Sequence, residues 1–476
     1  MIQLFDAFFA FIIIGLFILL GRLIRQNISV LKALYLPSSI VAGLLALLLG
    51  PGALGAIATA IAGPNSPFAS GLFPEQIRQV WAQSPGIFIN VVFAALFLGE
   101  TIPRPREIWR KAAPQVAFGQ SLAWGQYVLG LLLAMLVLTP LFGLDPIAGA
   151  LIEIAFEGGH GTAAGMGDTF AELGFPAGAD LALGLATVGI VSGVVAGTLL
   201  ADWGRRKGYV KVNVQEEIEE NLEPTHIEHP DIRRARSILL RDLLIDPLSL
   251  NLGFVGLAIA IGWSILQALI FIESITWGRG GIEVMSYVPL FPMALIGGLI
   301  VQVGMVRLGL GLLIDRTLTN RIAGVALDVT IVTALASISL TVLGANLVPF
   351  LLLSVVGITW NIAAFLFLAP RILPSYWFER GIGDMGQSMG VTATGILLIR
   401  MVDPDNHSGA FESFAYKQLF FEPIVGGGLF TAAAPPLIYQ FGPLPVFILT
   451  AVLLVFWVAF GLYNFRQINK RAARRR

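Results

Sequence analysis

Apolar stretches long enough to cross a bilayer recur from one end of this chain to the other, which leaves few folds open to it. They cover 3–21, 36–58, 80–99, 115–142, 180–201, 247–272, 287–305, 322–344, 347–369, 418–440 and 443–463, eleven in all. A backbone in hydrocarbon must satisfy its own polar groups, so each stretch predicts a helical span. Composition agrees. Hydrophobic residues make up 56% and charged residues 13%, against roughly 25% charged in soluble proteins. The first stretch reads as a span rather than a cleaved leader, because Met1-Ile2-Gln3-Leu4 carries no basic residue and Arg22 and Arg25 follow it.

Charge and rare residues exclude several functions. Lys and Arg number 30 and so do Asp and Glu, which leaves no basic excess for binding nucleic acid. With no cysteine there is no disulfide scaffold, cysteine metal site or thiol catalysis. No H-E-x-x-H occurs, and His160, the one histidine in the predicted membrane region, has no serine partner in its own loop, so an intramembrane hydrolase is disfavoured. His226 and His229 fall in a hydrophilic segment and make no metal site by themselves. The chain is not expected to be an enzyme.

The basic residues set the expected orientation. With the N-terminus outside, inner segments carry Arg22, Arg25 and Lys32, then Arg104 to Lys111, Arg205 to Lys211, Arg233 to Arg241, Arg307 to Arg321, Arg371, Arg380, Arg400 and Lys417, and finally Arg466 to Arg476; outer loops carry Arg78 and Arg279. The expectation is a multi-pass protein of the plasma membrane with the C-terminus in the cytoplasm.

Two segments do not read as plain spans. One, 147–178, contains Glu157-Gly158-Gly159-His160-Gly161-Thr162; the other, 378–403, contains Asp384-Met385-Gly386-Gln387-Ser388-Met389-Gly390. Each has a glycine-rich polar centre between apolar flanks. A re-entrant hairpin preserves the charge pattern, the first dipping in from outside and the second from inside. Thr162-Ala163-Ala164-Gly165 matches Thr392-Ala393-Thr394-Gly395, and Leu36-Pro37 and Ile190-Val191-Ser192-Gly193 have counterparts in Phe291-Pro292 and Ile424-Val425-Gly426-Gly427. The fold expected is an all-α polytopic membrane protein. Two inverted five-helix repeats, 1–202 and 247–440, each carry a glycine-rich hairpin. A cytoplasmic linker, 203–246, joins them, and 441–476 adds an extra transmembrane helix with a basic tail. Inverted repeats with interrupted segments point to a secondary transporter.

Glycine lets the backbone approach a ligand closely. Helix N-termini at two such tips attract carboxylates, and the hydroxyls of Thr162, Ser388, Thr392 and Thr394 offer hard oxygens to a small cation. The arrangement suits an organic anion carried with Na⁺ or H⁺. Further candidates for the ion or proton are Glu153, Glu157, Asp168, Asp328 and Asp384, and Arg400 could meet a substrate carboxylate but sits where snorkelling is expected. A channel is disfavoured by two unlike, inverted loops in one chain.

Gly158-Gly159-His160-Gly161-Thr162 resembles the first re-entrant loop of bacterial sodium/glutamate symporters, and Gly390-Val391-Thr392-Ala393-Thr394 resembles the second. The segment from Leu36-Pro37 to Leu45 is similar to their second span, and the likeness extends over about 1–440. It differs at Gly386-Gln387-Ser388, at Leu397-Leu398-Ile399 and in the added span 443–463. The resemblance implies a homodimer with elevator-like movement that couples L-glutamate uptake to Na⁺. The candidate substrate residues are Gly158, Gly159, His160, Gly161, Thr162, Gln387, Ser388, Gly390, Thr392 and Thr394, and the candidate Na⁺ ligands are Thr162, Asp384, Ser388 and Thr392. A symporter of another small carboxylate, a hydroxycarboxylate or dicarboxylate, is the alternative.

Overall fold

A computed structural model describes residues 3–34, 36–102, 105–210 and 245–473. Most of the expected linker, 203–246, therefore lies outside the described residues. Those that are described form helices and connecting turns. Among the described residues, eight helical spans are long and apolar enough to cross a membrane.

The helices sort into two groups by packing. The first holds α1 (Leu4–Asn27), α2 (Ser38–Ala62), α3 (Glu75–Ala95), α9 (Pro247–Ile275), α10 (Phe291–Arg307) and α11 (Arg316–Ala336). Within it α1 packs on α2, α9 on α10, α2 on α11, α10 on α3, and α3 on α11. Arg316 at the start of α11 caps the end of α3: it donates to the carbonyls of Leu96 and Leu98 at 2.9 and 3.0 Å and pairs with Glu100 at 2.9 Å. A cation at a helix C-terminus is favourably placed against its dipole.

The second group holds α4 (Pro105–Leu133, continued to Phe142), α5 (Leu151–Phe156), α6 (Gly159–Gly165), α7 (Gly167–Glu172) and α8 (Ala177–Arg206). It continues with α12 (Leu347–Phe367), α13 (Trp377–Val402), α14 (Ala410–Phe421), α15 (Leu429–Phe441) and α16 (Pro443–Ala473). The last of these lies along α4, with Trp109 against Trp457 and Phe460.

Helix α13 is two arms. Gly390 (φ −158°, ψ 39°) and Val391 (φ 64°, ψ 173°) leave helical geometry. Beyond them the chain folds back, so that a Cβ on Gly395 would stand 2.5 Å from the Gly383 carbonyl. In a continuous helix those two residues would be about 18 Å apart. Glycines 383, 386 and 395 permit the close approach.

Segment 143–176 joins α4 to α8. Along α4, Gln115 meets Asp384 near the base of α13, and Gln126 meets Ser388 near its turn. Along α8 the order reverses: Gly189 and Gly193 lie against Met389, and Gly204 against Phe378. Helices α4 and α8 are therefore antiparallel, and the segment joining them leaves and returns at one end. Its middle, Glu157 to Gly159, breaks the helix, with Gly159 at φ 67°.

Four expected spans differ from the structure, and one of them, 287–305, is the 17-residue helix Phe291–Arg307, which is not among the eight long spans. The stretch 80–99 begins earlier, in Glu75–Ala95, and 322–344 stops being continuous helix at Ala336. The stretch 418–440 is a broken helix: α14 ends at Phe421 and α15 starts at Leu429. Pro423 donates no N–H, and Gly426 and Gly427 at φ 71° and 99° turn the chain out of helical register.

The two groups meet where α3 and α11 press on α6. Gly161 faces Ile89 and Leu327, Gly165 faces Ile89 and Phe291, and Gly427 faces Phe93. Hydrogen bonds cross between the groups from Thr169 to the Tyr287 carbonyl at 2.9 Å and from the Ser339 N–H to Asp180 at 2.8 Å.

Candidate functional site

The three interruptions of helical backbone, at 157–159, 390–391 and 422–428, converge. Gly159 lies against Val391: a Cβ on the glycine would stand 2.2 Å from Val391 Cγ1. Gly427 lies against the Thr162 hydroxyl at 2.6 Å by the same measure. Thr392 donates to Glu422 at 3.2 Å and accepts from Gln418 at 2.9 Å. The third interruption was not expected, because Gly426–Gly428 reads as small residues inside an apolar run.

Around this junction the polar residues divide into those with partners and those without. Glu153 is fully buried and saturated with donors: Tyr127 Oη, the Thr431 hydroxyl at 2.9 Å and the Gly426 N–H at 2.8 Å. His160, 2% exposed, holds the Thr187 hydroxyl at 2.9 Å. Ser388 offers its carbonyl to Gln126 at 2.8 Å and to Asn361 at 3.0 Å, which pins the turn of α13 to α4 and α12. Thr394 donates to the Gly390 carbonyl and braces the same turn.

Lys417 overturns one sequence expectation. Counted there among the inner basic residues, it is fully buried. Its ammonium donates to Asp384 at 3.1 Å and to the Gln387 amide oxygen at 2.5 Å, and it lies 4.2 Å from the centre of the Phe421 ring. Asp384 also accepts from Gln115 at 2.7 Å. Both its oxygens are engaged, one by an ammonium.

The Glu157 carboxylate (residue 3% exposed) and the Thr162 and Ser388 hydroxyls (residues 0% exposed) make no hydrogen bond. Of the other carboxylates, Asp328 sits on α11 beside Ser39 of α2, and Asp168 lies by Gly86 on α3. Neither is at the junction described here.

Of the expected site residues, Gly158 to Thr162 and Gln387 to Thr394 thus lie at or beside one junction. Glu422, Lys417, Gln126 and Tyr127 were not anticipated there. The polar face of α14, with Gln418 and Glu422 one turn apart, was the available signal.

The model of the sodium/glutamate symporter family matches residues 110–402. The chain belongs to the sodium/glutamate symporter family. The match takes in both glycine-rich turns, together with α4, which carries Gln115, Gln126 and Tyr127. Lys417, Glu422 and the break before α15 lie outside the matched residues. No curated protein and no solved structure matches the chain. Membership of this symporter family makes the protein a multi-pass membrane transporter and supports Na⁺ and glutamate as its cargo.

Proposed function

We propose that the protein takes up L-glutamate across the plasma membrane with Na⁺, and that an elevator-like movement gives alternating access. The observation that carries this reading is the meeting of two helix breaks, Gly159 and Val391, inside the stretch that matches the symporter family. In this reading, 147–178 and 378–403 are re-entrant hairpins that enter from opposite faces of the membrane. Non-helical backbone at membrane depth is tolerated where it lines a protected cavity.

The inverted repeat, 1–202 and 247–440, is supported by paired contacts. The α1–α2 pair has a counterpart in α9–α10, and α2–α11 in α10–α3. Helix α8 packs on the turn of α13 through Gly189 and Met389, and the α14–α15 break packs on the first hairpin through Gly426 and Glu153. The extra helix 441–476 then stands outside the symmetry and rides on α4. The group bearing both hairpins is the moving body, and the α1–α3 with α9–α11 group is the frame. The orientation, N-terminus outside and C-terminus in the cytoplasm, and the homodimer complete the proposal.

The substrate carboxylates would bind at the hairpin turns. The second arm of α13 begins at Thr392, and its first N–H groups have no partner within the helix. Gly158–Thr162 and Gln387–Thr394 form the two walls. Asp384, paired with Lys417, anchors that lysine rather than holding Na⁺. The test is uptake of labelled L-glutamate into proteoliposomes with the Na⁺ gradient and the membrane potential varied independently. Uptake driven by inward Na⁺ and competed by unlabelled glutamate is expected. Uptake indifferent to Na⁺, or competed only by hydroxycarboxylates, overturns the proposal.

A further inference from the structure

Helical serines and threonines in hydrocarbon commonly bond back to a carbonyl one turn earlier. This protein follows the habit at Ser121, Thr187, Thr198, Thr330, Thr333 and Ser354. Thr162 and Ser388 break it, although both are fully buried. A buried hydroxyl without a partner is destabilising, and two of them at one junction, where the Glu157 carboxylate also has none, call for a common cause.

Glycine backbone stands against the Thr162 hydroxyl. Thr162 Oγ1 is flanked by Gly158 and Gly427, where a Cβ would come within 2.8 and 2.6 Å of it. Gly426 covers the Glu157 backbone. Ser388 lies beside the Glu157 carboxyl, close enough to act on it. Lys417 is not the partner of these groups, because its ammonium donates to Asp384 and Gln387.

We propose that Glu157 is the anionic ligand of the transported Na⁺, with Ser388 Oγ and Thr162 Oγ1 as neutral donors. The assignment rests on the Na⁺-coupled reading and names its ion site. A hard cation prefers oxygen ligands, and this set supplies a charge and two hydroxyls. It explains three orphaned groups together. A proton on Glu157 could satisfy Ser388 but would leave Thr162 unpartnered. The site also draws on both hairpins: Glu157 and Thr162 come from the first and Ser388 from the second. Ion binding therefore holds the two turns together. Glu153, an equally buried carboxylate, has three donors of its own and needs no cation.

The experiment uses the full chain in lipid nanodiscs without glutamate and follows thermal stability against NaCl, with KCl and choline chloride as controls. Wild-type protein should be stabilised by Na⁺ and not by K⁺ or choline. Glu157→Gln should raise the Na⁺ concentration for half-effect at least about tenfold, the equivalent of ~1.4 kcal/mol. Ser388→Ala and Thr162→Val should each raise it by a smaller factor. Should Glu157→Gln not fold, Glu157→Asp and Ser388→Ala decide, since both keep the local charge. An unchanged Na⁺ response in the folded variants overturns the ion site while leaving Na⁺-coupled transport standing. A wild-type protein that neither responds to Na⁺ nor takes up glutamate overturns the functional reading itself.

Discussion

Lys417 is the residue with most at stake. A buried ion pair is weak evidence of stability, but removing one partner strands the other charge, at a cost of about 3–5 kcal/mol. Lys417→Met should therefore lower the melting temperature markedly, and adding Asp384→Asn should restore much of the loss; a single variant as stable as wild type would contradict the buried pairing. The two threonines that match in sequence now separate. Thr392 has Glu422 and Gln418 as partners, whereas Thr162 has none. Thr392→Val should cost about 1 kcal/mol or more of stability, and Thr162→Val little, while both weaken apparent Na⁺ or glutamate affinity. Melting curves alongside uptake at limiting Na⁺ check both halves of that expectation.

At the scale of elements, the α13 hairpin depends on arms that touch through glycine. Gly395→Ala places a methyl group 2.5 Å from a backbone oxygen, so the arms must part. Overpacking of this kind costs about 1–3 kcal/mol. The variant should fold with lower stability and lose glutamate uptake; normal uptake would show that the close approach is dispensable. The glycine-rich stretches around 158–162 and 386–390 were legible in the sequence, and two of the three helix breaks fall there. The break at 422–428 was not, because three glycines in an apolar run look the same whether they pack a helix or interrupt it. Lys417 was misplaced for a related reason. Counting basic residues assigns each lysine to water, and its partner Asp384 is far away in sequence. Gln115 and Asp384, on α4 and α13, likewise meet only in the folded chain.

The whole molecule is two helix groups, and the proposed movement slides one past the other. Asp180 on α8 meets the N–H of Ser339, beyond the end of α11, in the conformation described. The chain has no cysteine, so Asp180→Cys with Ser339→Cys introduces an isolated pair. Cross-linking it should stop uptake, and a reducing agent should restore it. Full uptake by the cross-linked protein would rule out relative movement at that contact.

The surface on which such sliding would occur is made largely of Ile89, Phe93, Phe291 and Leu327 against glycine backbone. Dispersion between such groups is about 0.1–0.2 kcal/mol per atom pair and has no preferred direction. One set of contacts can be exchanged for the next without any deep intermediate well, much as a plain bearing runs without teeth. Friction, rather than the rupture of strong bonds, would then set the pace of the movement. Substitutions that roughen this surface, a bulkier side chain at Gly161 for example, would slow turnover more than they loosen the resting structure.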